Sequence, residues 1–153
     1  MIGRLYDRFA GALYQYAVMV LADPDAAADV VQQVFVSMLR HSRQIEQDER
    51  YLRRAVRNEC YSLLRRRQRD GAAAASSPLV EPVAESDDID LRLTLERTLR
   101  ALTPEQREVV HLKVYEGMTF QEIATLVGEN ANTIASRYRY AMEKMRAQLG
   151  ARR

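Results

Sequence analysis

The chain is poor in the residues that build strands, disulfides and metal sites. Its 153 residues include six glycines, four prolines, no tryptophan and one cysteine, Cys60. Alternating Val/Ile runs are missing, which predicts an all-α fold. A lone cysteine excludes an internal disulfide, and the two histidines cannot complete a tetrahedral Cys/His zinc site. No apolar run approaches the roughly 20 residues that span a bilayer, and residues 1–22 lack a secretory signal pattern. We therefore expect a cytoplasmic protein without membrane insertion.

Catalytic patterns are also missing. The sequence offers no Ser/His/Asp set, no glycine-rich phosphate loop and no carboxylate pair suited to acid–base chemistry. We expect neither an enzyme nor a bound cofactor or metal. His41 and His111 are predicted to be surface or boundary residues, and Cys60 is predicted to be buried.

Charge is distributed unevenly along the chain, although its net value is only +2. Residues 1–70 carry 12 bases against 9 acids, residues 71–90 carry five acids and no base, and residues 91–153 carry 11 bases against 7 acids. The middle segment is also rich in alanine, serine and proline, which is typical of a linker. The sequence thus predicts two small helical domains, 1–70 and 91–153, joined by an acidic, flexible linker at 71–90.

Apolar periodicity and start signals define the helices. Asp23-Pro24 and Thr103-Pro104 each place a capping side chain before a proline at the first helical position. The predicted helices run over about 3–21, 24–42, 49–69 (with Asp48 as N-cap), 89–102, 104–115, 118–127 (ending at Gly128) and 131–149. The second helix is predicted to bury Val30 or Val31, then Val34, Phe35, Met38 and Leu39; the first buries Leu5, Phe9, Leu13, Tyr16 and Val20.

The last helix has one apolar and one polar face. The apolar positions recur every three or four residues: Ala131, Ile134, Tyr138, Ala141, Met145 and Leu149. The opposite face carries short polar groups, then cations and an aromatic: Asn132, Thr133, Ser136, Arg137, Arg139, Tyr140 and Lys144. This arrangement suits the recognition helix of a helix-turn-helix, which enters a DNA groove. Asn130 is predicted to cap this helix rather than to read a base.

The third helix concentrates positive charge. Within 50–69 there are eight arginines and a single acid, Glu59. Such a density favours phosphate contacts over a merely solvated basic face. Tyr51, Asn58 and Tyr61 lie among the arginines, and aromatics between cations suit unstacked bases of melted, single-stranded DNA.

These motifs together resemble bacterial sigma factors. Segments 102–110 (LTPEQREVV), 116–124 (EGMTFQEIA) and 132–137 (NTIASR) look like sigma region 4. Segments 29–35 (DVVQQVF), 51–58 (YLRRAVRN) and 63–67 (LLRRR) are similar to sigma region 2. The two-module layout resembles the extracytoplasmic-function (ECF) group of the sigma-70 family, and the resemblance covers nearly the whole chain except the linker.

The resemblance implies partners and site residues. It implies binding to core RNA polymerase, with Asp29, Gln32 and Gln33 against the clamp coiled coil of the largest subunit and the second domain near the flap. It implies contacts with the melted downstream (−10) promoter element by Arg53, Arg54, Arg57, Asn58, Tyr61 and Arg65. The loop 43–47 stands where the family holds a flipped promoter base. Contacts with the upstream (−35) element would come from Asn132, Thr133, Ser136, Arg137, Arg139 and Tyr140. An anti-sigma factor is a further possible partner.

Two positions depart from the family pattern. The family usually has a carboxylate at Gln33, and it commonly has Lys or Arg at Ala135. Two other functions stay open at this point. One is a free-standing helix-turn-helix regulator, which would not need residues 1–70; the other is a sigma mimic that sequesters an anti-sigma factor without initiating transcription.

Overall fold

The computed structural model describes residues 2–40, 49–71, 78–79 and 89–150. Over these ranges the secondary structure is helical and no strand is present, which confirms the all-α prediction. The elements in chain order are α1 (Ile2–Leu21), α2 (Pro24–Arg40), α3 (Glu49–Asp70), α4 (Ile89–Ala101), α5 (Pro104–Val110), a π-helical turn (His111–Tyr115), α6 (Phe120–Val127) and α7 (Ala131–Gly150). The chain divides into two compact units, Met1–Ser77 and Pro78–Arg153.

Several predicted features lie outside the described residues. They include most of the predicted linker 71–90, His41, the loop 43–47, an N-cap at Asp48 and the side chain of Leu5. The helix α4 begins at Ile89, so the last two residues of the range predicted as linker are helical. None of the described helices combines the length and the apolar character that a membrane span requires.

The first unit is a three-helix arrangement in which each helix packs against the other two. Its core consists of apolar side chains from all three helices: Leu13, Tyr16, Ala17, Val20, Val30, Val31, Val34, Phe35, Met38, Leu52, Val56 and Cys60. Each fully buried large side chain contributes about 1.5–3 kcal/mol relative to exposure. The prediction that Leu39 is buried is wrong, since 58% of it is exposed. It lies about 100° around the helix from Met38, which turns it away from α1 and α3.

The corner between α1 and α2 is built by three consecutive residues. Ala22 adopts φ +52, a left-handed conformation that non-glycine residues seldom adopt, and its N–H donates to the Val18 carbonyl at 2.8 Å. Asp23 then caps α2 by accepting from the Ala26 N–H at 3.1 Å. Pro24 opens the helix, so the predicted start of α2 is confirmed.

The second unit is organised around α7, against which α4, α5 and α6 all pack. Its core contains Leu99, Leu102, Val109, Leu112, Ile123, Ala124, Ile134 and Ala141. Arg107 is buried as well, and its guanidinium donates to the carbonyls of Leu99 at 3.3 Å and Leu102 at 2.6 Å. These carbonyls come at the end of α4, where donors within the helix run out; the Leu99 carbonyl also accepts from the Leu102 N–H at 3.2 Å. Arg107 therefore ties the end of α4 to α5.

The segment predicted as one helix over 104–115 is α-helical only to Val110. The next five residues form the π turn, in which the Glu116 N–H donates to the His111 carbonyl at 3.1 Å. Periodicity alone did not predict this change, because one extra residue in a turn leaves the apolar pattern nearly intact. Gly117, at φ +70, ends the turn.

Capping fixes the helix-turn-helix itself. Thr119 accepts from the Glu122 N–H at 3.1 Å, while the Glu122 carboxylate accepts from the Thr119 N–H at 2.9 Å. This reciprocal capping box starts α6 at Phe120 rather than at the predicted Met118. Gly128, at φ +76, ends α6 in the left-handed conformation that glycine adopts without a steric cost.

Candidate nucleic-acid interface

One exposed stripe runs along α3, opposite the buried face of that helix. Arg54, Asn58 and Arg65 are exposed, and Arg57 and Tyr61 are half-buried. These five residues stand at positions i, i+3, i+4, i+7 and i+11 along the helix and therefore share a side of it. The structure thus brings together five of the six residues that the resemblance assigns to melted DNA.

An arginine and a tyrosine within the stripe are already stacked. The guanidinium carbon of Arg57 lies 4.6 Å from the centroid of the Tyr61 ring. The pair presents a planar cation beside an aromatic ring, and unstacked bases favour both kinds of surface. Asn58 follows Arg57 and adds amide donors and acceptors to the same face.

Arg53 is the exception among the predicted DNA-contacting residues. It is only 5% exposed, and its guanidinium carbon lies 5.3 Å from the centroid of the buried Tyr16 ring. Its Nη2 atom is 3.5 Å from a carboxylate oxygen of Glu49. This position inside the first unit conflicts with a direct contact to DNA. The sequence did contain a sign of this burial: Arg53 precedes the core residue Val56 by three positions, so the two residues share one face of α3.

Two arginines near the end of α3 have acidic partners. Arg66 Nη2 is 3.5 Å from a carboxylate oxygen of Glu59. Arg67 donates to Asp23, the residue that caps α2. Both arginines lie off the exposed stripe, so Glu59 and Asp23 offset positive charge outside the stripe.

The predicted polymerase-docking residues lie together on α2. Asp29, Gln32 and Gln33 are exposed, whereas the core residues of α2 point the other way. They line a groove of about 950 Å³ between α2 and α3. Tyr51 and Glu59 line its α3 side. The groove offers carboxylates and amides beside a tyrosine that is 40% exposed.

The recognition helix α7 presents its predicted polar face to solvent. Asn130 caps the helix by accepting from the Asn132 N–H at 2.7 Å, which confirms its predicted role. The predicted upstream-element residues fall into two classes. Asn132, Thr133, Arg139 and Tyr140 are exposed, whereas Ser136 and Arg137 are half-buried. Ala135 is half-buried on the same helix.

Tyr138 is connected to the π turn through successive side-chain contacts with Phe120 and Lys113. Its ring centroid is 5.5 Å from that of Phe120, the first residue of α6. The Nζ atom of Lys113, in the π turn, lies 4.4 Å from the centroid of the Phe120 ring. The prediction that Tyr138 is a packing residue agrees with these contacts.

The prediction that His111 lies at the surface or boundary is wrong, because the residue is only 5% exposed. Its Nε2 atom is 3.0 Å from a carboxylate oxygen of Glu116. Its ring is stacked on Tyr115, with centroids 4.9 Å apart. A histidine in an otherwise apolar run (VVHLKV) gives no sequence signal of such a partner, because the partner is reached only through the π turn.

Comparison with known proteins places both units in one family. Residues 5–70 match the family described as Sigma-70 region 2, and residues 92–145 match that described as Sigma-70, region 4. The chain belongs to the sigma-70 family. The two matches occur in the order that the motifs predict and together cover most of the sequence.

Individual relatives point to the ECF group of this family. The ECF RNA polymerase sigma factor SigL of Mycobacterium tuberculosis is 28% identical over 153 residues, which covers 95% of this chain and 86% of SigL. SigK of Mycobacterium bovis, also an ECF RNA polymerase sigma factor, is 29% identical over 154 residues, covering 92% and 81%. The sigma factor RpoE of Bartonella quintana, solved in complex with the anti-sigma factor NepR, superimposes with a TM-score of 0.76 at 25% identity, covering 99% of this chain and 98% of that one.

Proposed function

We propose that this protein is an ECF-type sigma factor. It binds core RNA polymerase, recognises the −35 and −10 promoter elements and promotes transcription initiation. The observation that carries the proposal is the presence of two sigma-70 regions in one chain, each with a separate exposed polar face. The protein acts by binding and strand capture, in the cytoplasm where the polymerase works, and performs no catalysis of its own.

The first unit provides the polymerase contact and the capture of the melted strand. Asp29, Gln32 and Gln33 dock on the clamp coiled coil of the largest subunit. The stripe on α3, consisting of Arg54, Arg57, Asn58, Tyr61 and Arg65, holds the single strand of the −10 element. Its arginines neutralise phosphates, and Tyr61 offers a stacking surface to a base. Arg53 supports α3 from inside and has no place in this contact.

The second unit reads the upstream element and lies near the polymerase flap. Its α7 enters the major groove with Asn132, Thr133 and Ser136 leading, and Arg137, Arg139 and Tyr140 following. Because Ala135 has no charge, this helix makes fewer phosphate contacts than a lysine or arginine there would allow. An anti-sigma factor is the expected inhibitory partner, by analogy with the NepR-bound relative.

Run-off transcription tests the proposal. Purified core polymerase is incubated with this protein and with fragments of its own genome, and transcripts are mapped. We expect specific start sites that appear only when the protein is added. Polymerase binding without transcripts would favour a sigma mimic, and DNA binding without polymerase binding would favour a free-standing regulator; either result would overturn the proposal.

A matched pair of variants tests the docking surface in the same assay. Asp29→Asn removes a carboxylate from the exposed face of α2, and Asp7→Asn removes one from the exposed side of α1. We expect the first change to weaken polymerase binding and the second to leave it unaltered. Equal effects would indicate that only net charge matters.

A further inference from the structure

In the π turn before the helix-turn-helix, His111 and Glu116 are in contact through both their main chains and their side chains. The main chain closes it through the Glu116 N–H and the His111 carbonyl, 3.1 Å apart. The side chains also meet, with His111 Nε2 lying 3.0 Å from Glu116 Oε2, although the two atoms lack the alignment of a hydrogen bond. We call this side-chain pair the His111–Glu116 clasp. Both of its members are largely shielded from water, with side chains 5% and 17% exposed.

A π turn needs such support. Its hydrogen bonds join residues five apart, an arrangement that is rare in proteins. Single π turns within α-helices often occur at functional positions. The clasp stands where α5 ends and the chain turns towards α6. Directly after it, the Met118 N–H donates to the Leu112 carbonyl at 3.0 Å, and Thr119 caps α6. The clasp thus fixes the direction in which the chain leaves α5.

Side-chain contacts extend this influence to the recognition helix. Lys113 of the π turn lies over the Phe120 ring, and Phe120 packs against Tyr138 of α7. Tyr138 stands between Arg137 and Arg139, two of the residues proposed to contact DNA. We infer that the His111–Glu116 clasp is a positioning device, which sets the π turn and, through Lys113, Phe120 and Tyr138, orients α7 for the upstream promoter element.

This inference rests on the proposed function but concerns two largely buried residues that are not among the predicted DNA- or polymerase-contacting residues. It predicts that opening the clasp weakens recognition of the upstream element while polymerase binding by the first unit persists. A residue needed only for folding would instead lower both activities together. The side-chain pair should also act as a unit, so that removing both members costs no more than removing one.

The test uses the full-length protein, core polymerase and a promoter fragment selected in the run-off assay. His111→Leu keeps apolar bulk but lacks Nε2, and Glu116→Gln changes a partly exposed carboxylate with little risk to folding. The matched control is Glu129→Gln, which changes an exposed carboxylate between α6 and α7. His111→Gln returns a nitrogen donor to the buried position and serves as the rescue variant.

We expect His111→Leu and Glu116→Gln each to lower affinity for the upstream element by about fivefold, with the double variant no weaker than either single one. His111→Gln should recover most of the loss, and Glu129→Gln should match the wild type. Hydrogen exchange at the Glu116 and Met118 amides should quicken in the two clasp variants.

Three results would contradict the proposed positioning role of the clasp. They are unchanged affinity in both single variants, additive losses in the double variant, or polymerase binding that falls in parallel with DNA binding. A wild-type protein that fails to bind polymerase would instead refute the proposed function. The two failures are therefore distinguishable.

Discussion

Arg65 and Arg66 are neighbours in the sequence but face different surroundings, and this difference makes a sharp test of the α3 stripe. Arg65 is exposed on the stripe with Arg54 and Arg57, whereas Arg66 lies off it, 3.5 Å from a Glu59 oxygen. Replacing either by glutamine removes one positive charge from the same turn of α3. Only Arg65→Gln removes a cation that faces the proposed single strand.

The expected magnitude follows from counterion release. Each phosphate neutralised on a single strand contributes about 0.7 to the slope of log affinity against log salt. Arg65→Gln should therefore make the slope shallower by about 0.7. The triple change of Arg54, Arg57 and Arg65 to glutamine should make it shallower by about 2. Arg66→Gln should leave the slope nearly unchanged.

The measurement is fluorescence anisotropy of a labelled single-stranded promoter segment, titrated with polymerase holoenzyme containing each variant at several salt concentrations. Because all variants are compared on one DNA, contributions from the rest of the polymerase cancel in the differences. Circular dichroism of the free protein checks that α3 stays helical.

Equal slopes for Arg65→Gln and Arg66→Gln would refute the reasoning. They would mean that the affinity for DNA depends on the total charge of α3 and not on the position of the arginines in the stripe. A triple variant with the wild-type slope would show that the three stripe arginines of α3 do not contact DNA phosphates.

Three further predictions concern stability, each measured by thermal unfolding of the full-length protein. Thr119→Ala breaks the capping box with Glu122 and should cost about 1 kcal/mol, whereas Thr119→Ser should cost little. Arg107→Met removes the guanidinium that donates to the carbonyls of Leu99 and Leu102, of which only Leu99 keeps a second donor, the Leu102 N–H; it should cost roughly 1–3 kcal/mol, and an unchanged transition would mean that water replaces the guanidinium. Arg53→Gln should destabilise the first unit by about 1 kcal/mol through loss of the cation–π contact with Tyr16. The same variant should keep the wild-type salt slope, and a shallower slope would return Arg53 to the DNA interface.

Local signals in the sequence predicted most of the fold. Asp23-Pro24, Thr103-Pro104 and Gly128 each mark a helix end through a single side chain or a single backbone angle, and all three have that role in the structure. Such signals depend only on the nearest few residues, so they can be read without knowing the tertiary arrangement.

Features that depend on contacts between distant residues were harder to predict. Arg67 forms an ion pair with Asp23, which lies 44 positions earlier in the sequence. The helical periodicity of the sequence does not predict that pair. The resemblance to sigma region 2 assigns Arg53 to DNA, yet tertiary packing places it over Tyr16. His111 gains Glu116 only because the chain widens into a π turn. In each case a long-range contact or an irregular turn decides what a charged side chain does.

The pairing of Arg66 and Arg67 with acids also bears on how fast a strand can find its place. A helix whose cations pointed in all directions would attract a polyanion equally from every side, and most encounters would be unproductive. Here Glu59 and Asp23 offset two charges off the stripe, which weakens the attraction of a polyanion to that side of α3. If the stripe binds a single strand as proposed, a strand that approaches from the stripe side meets Tyr61 on the same face, so fewer of its encounters with α3 should be unproductive.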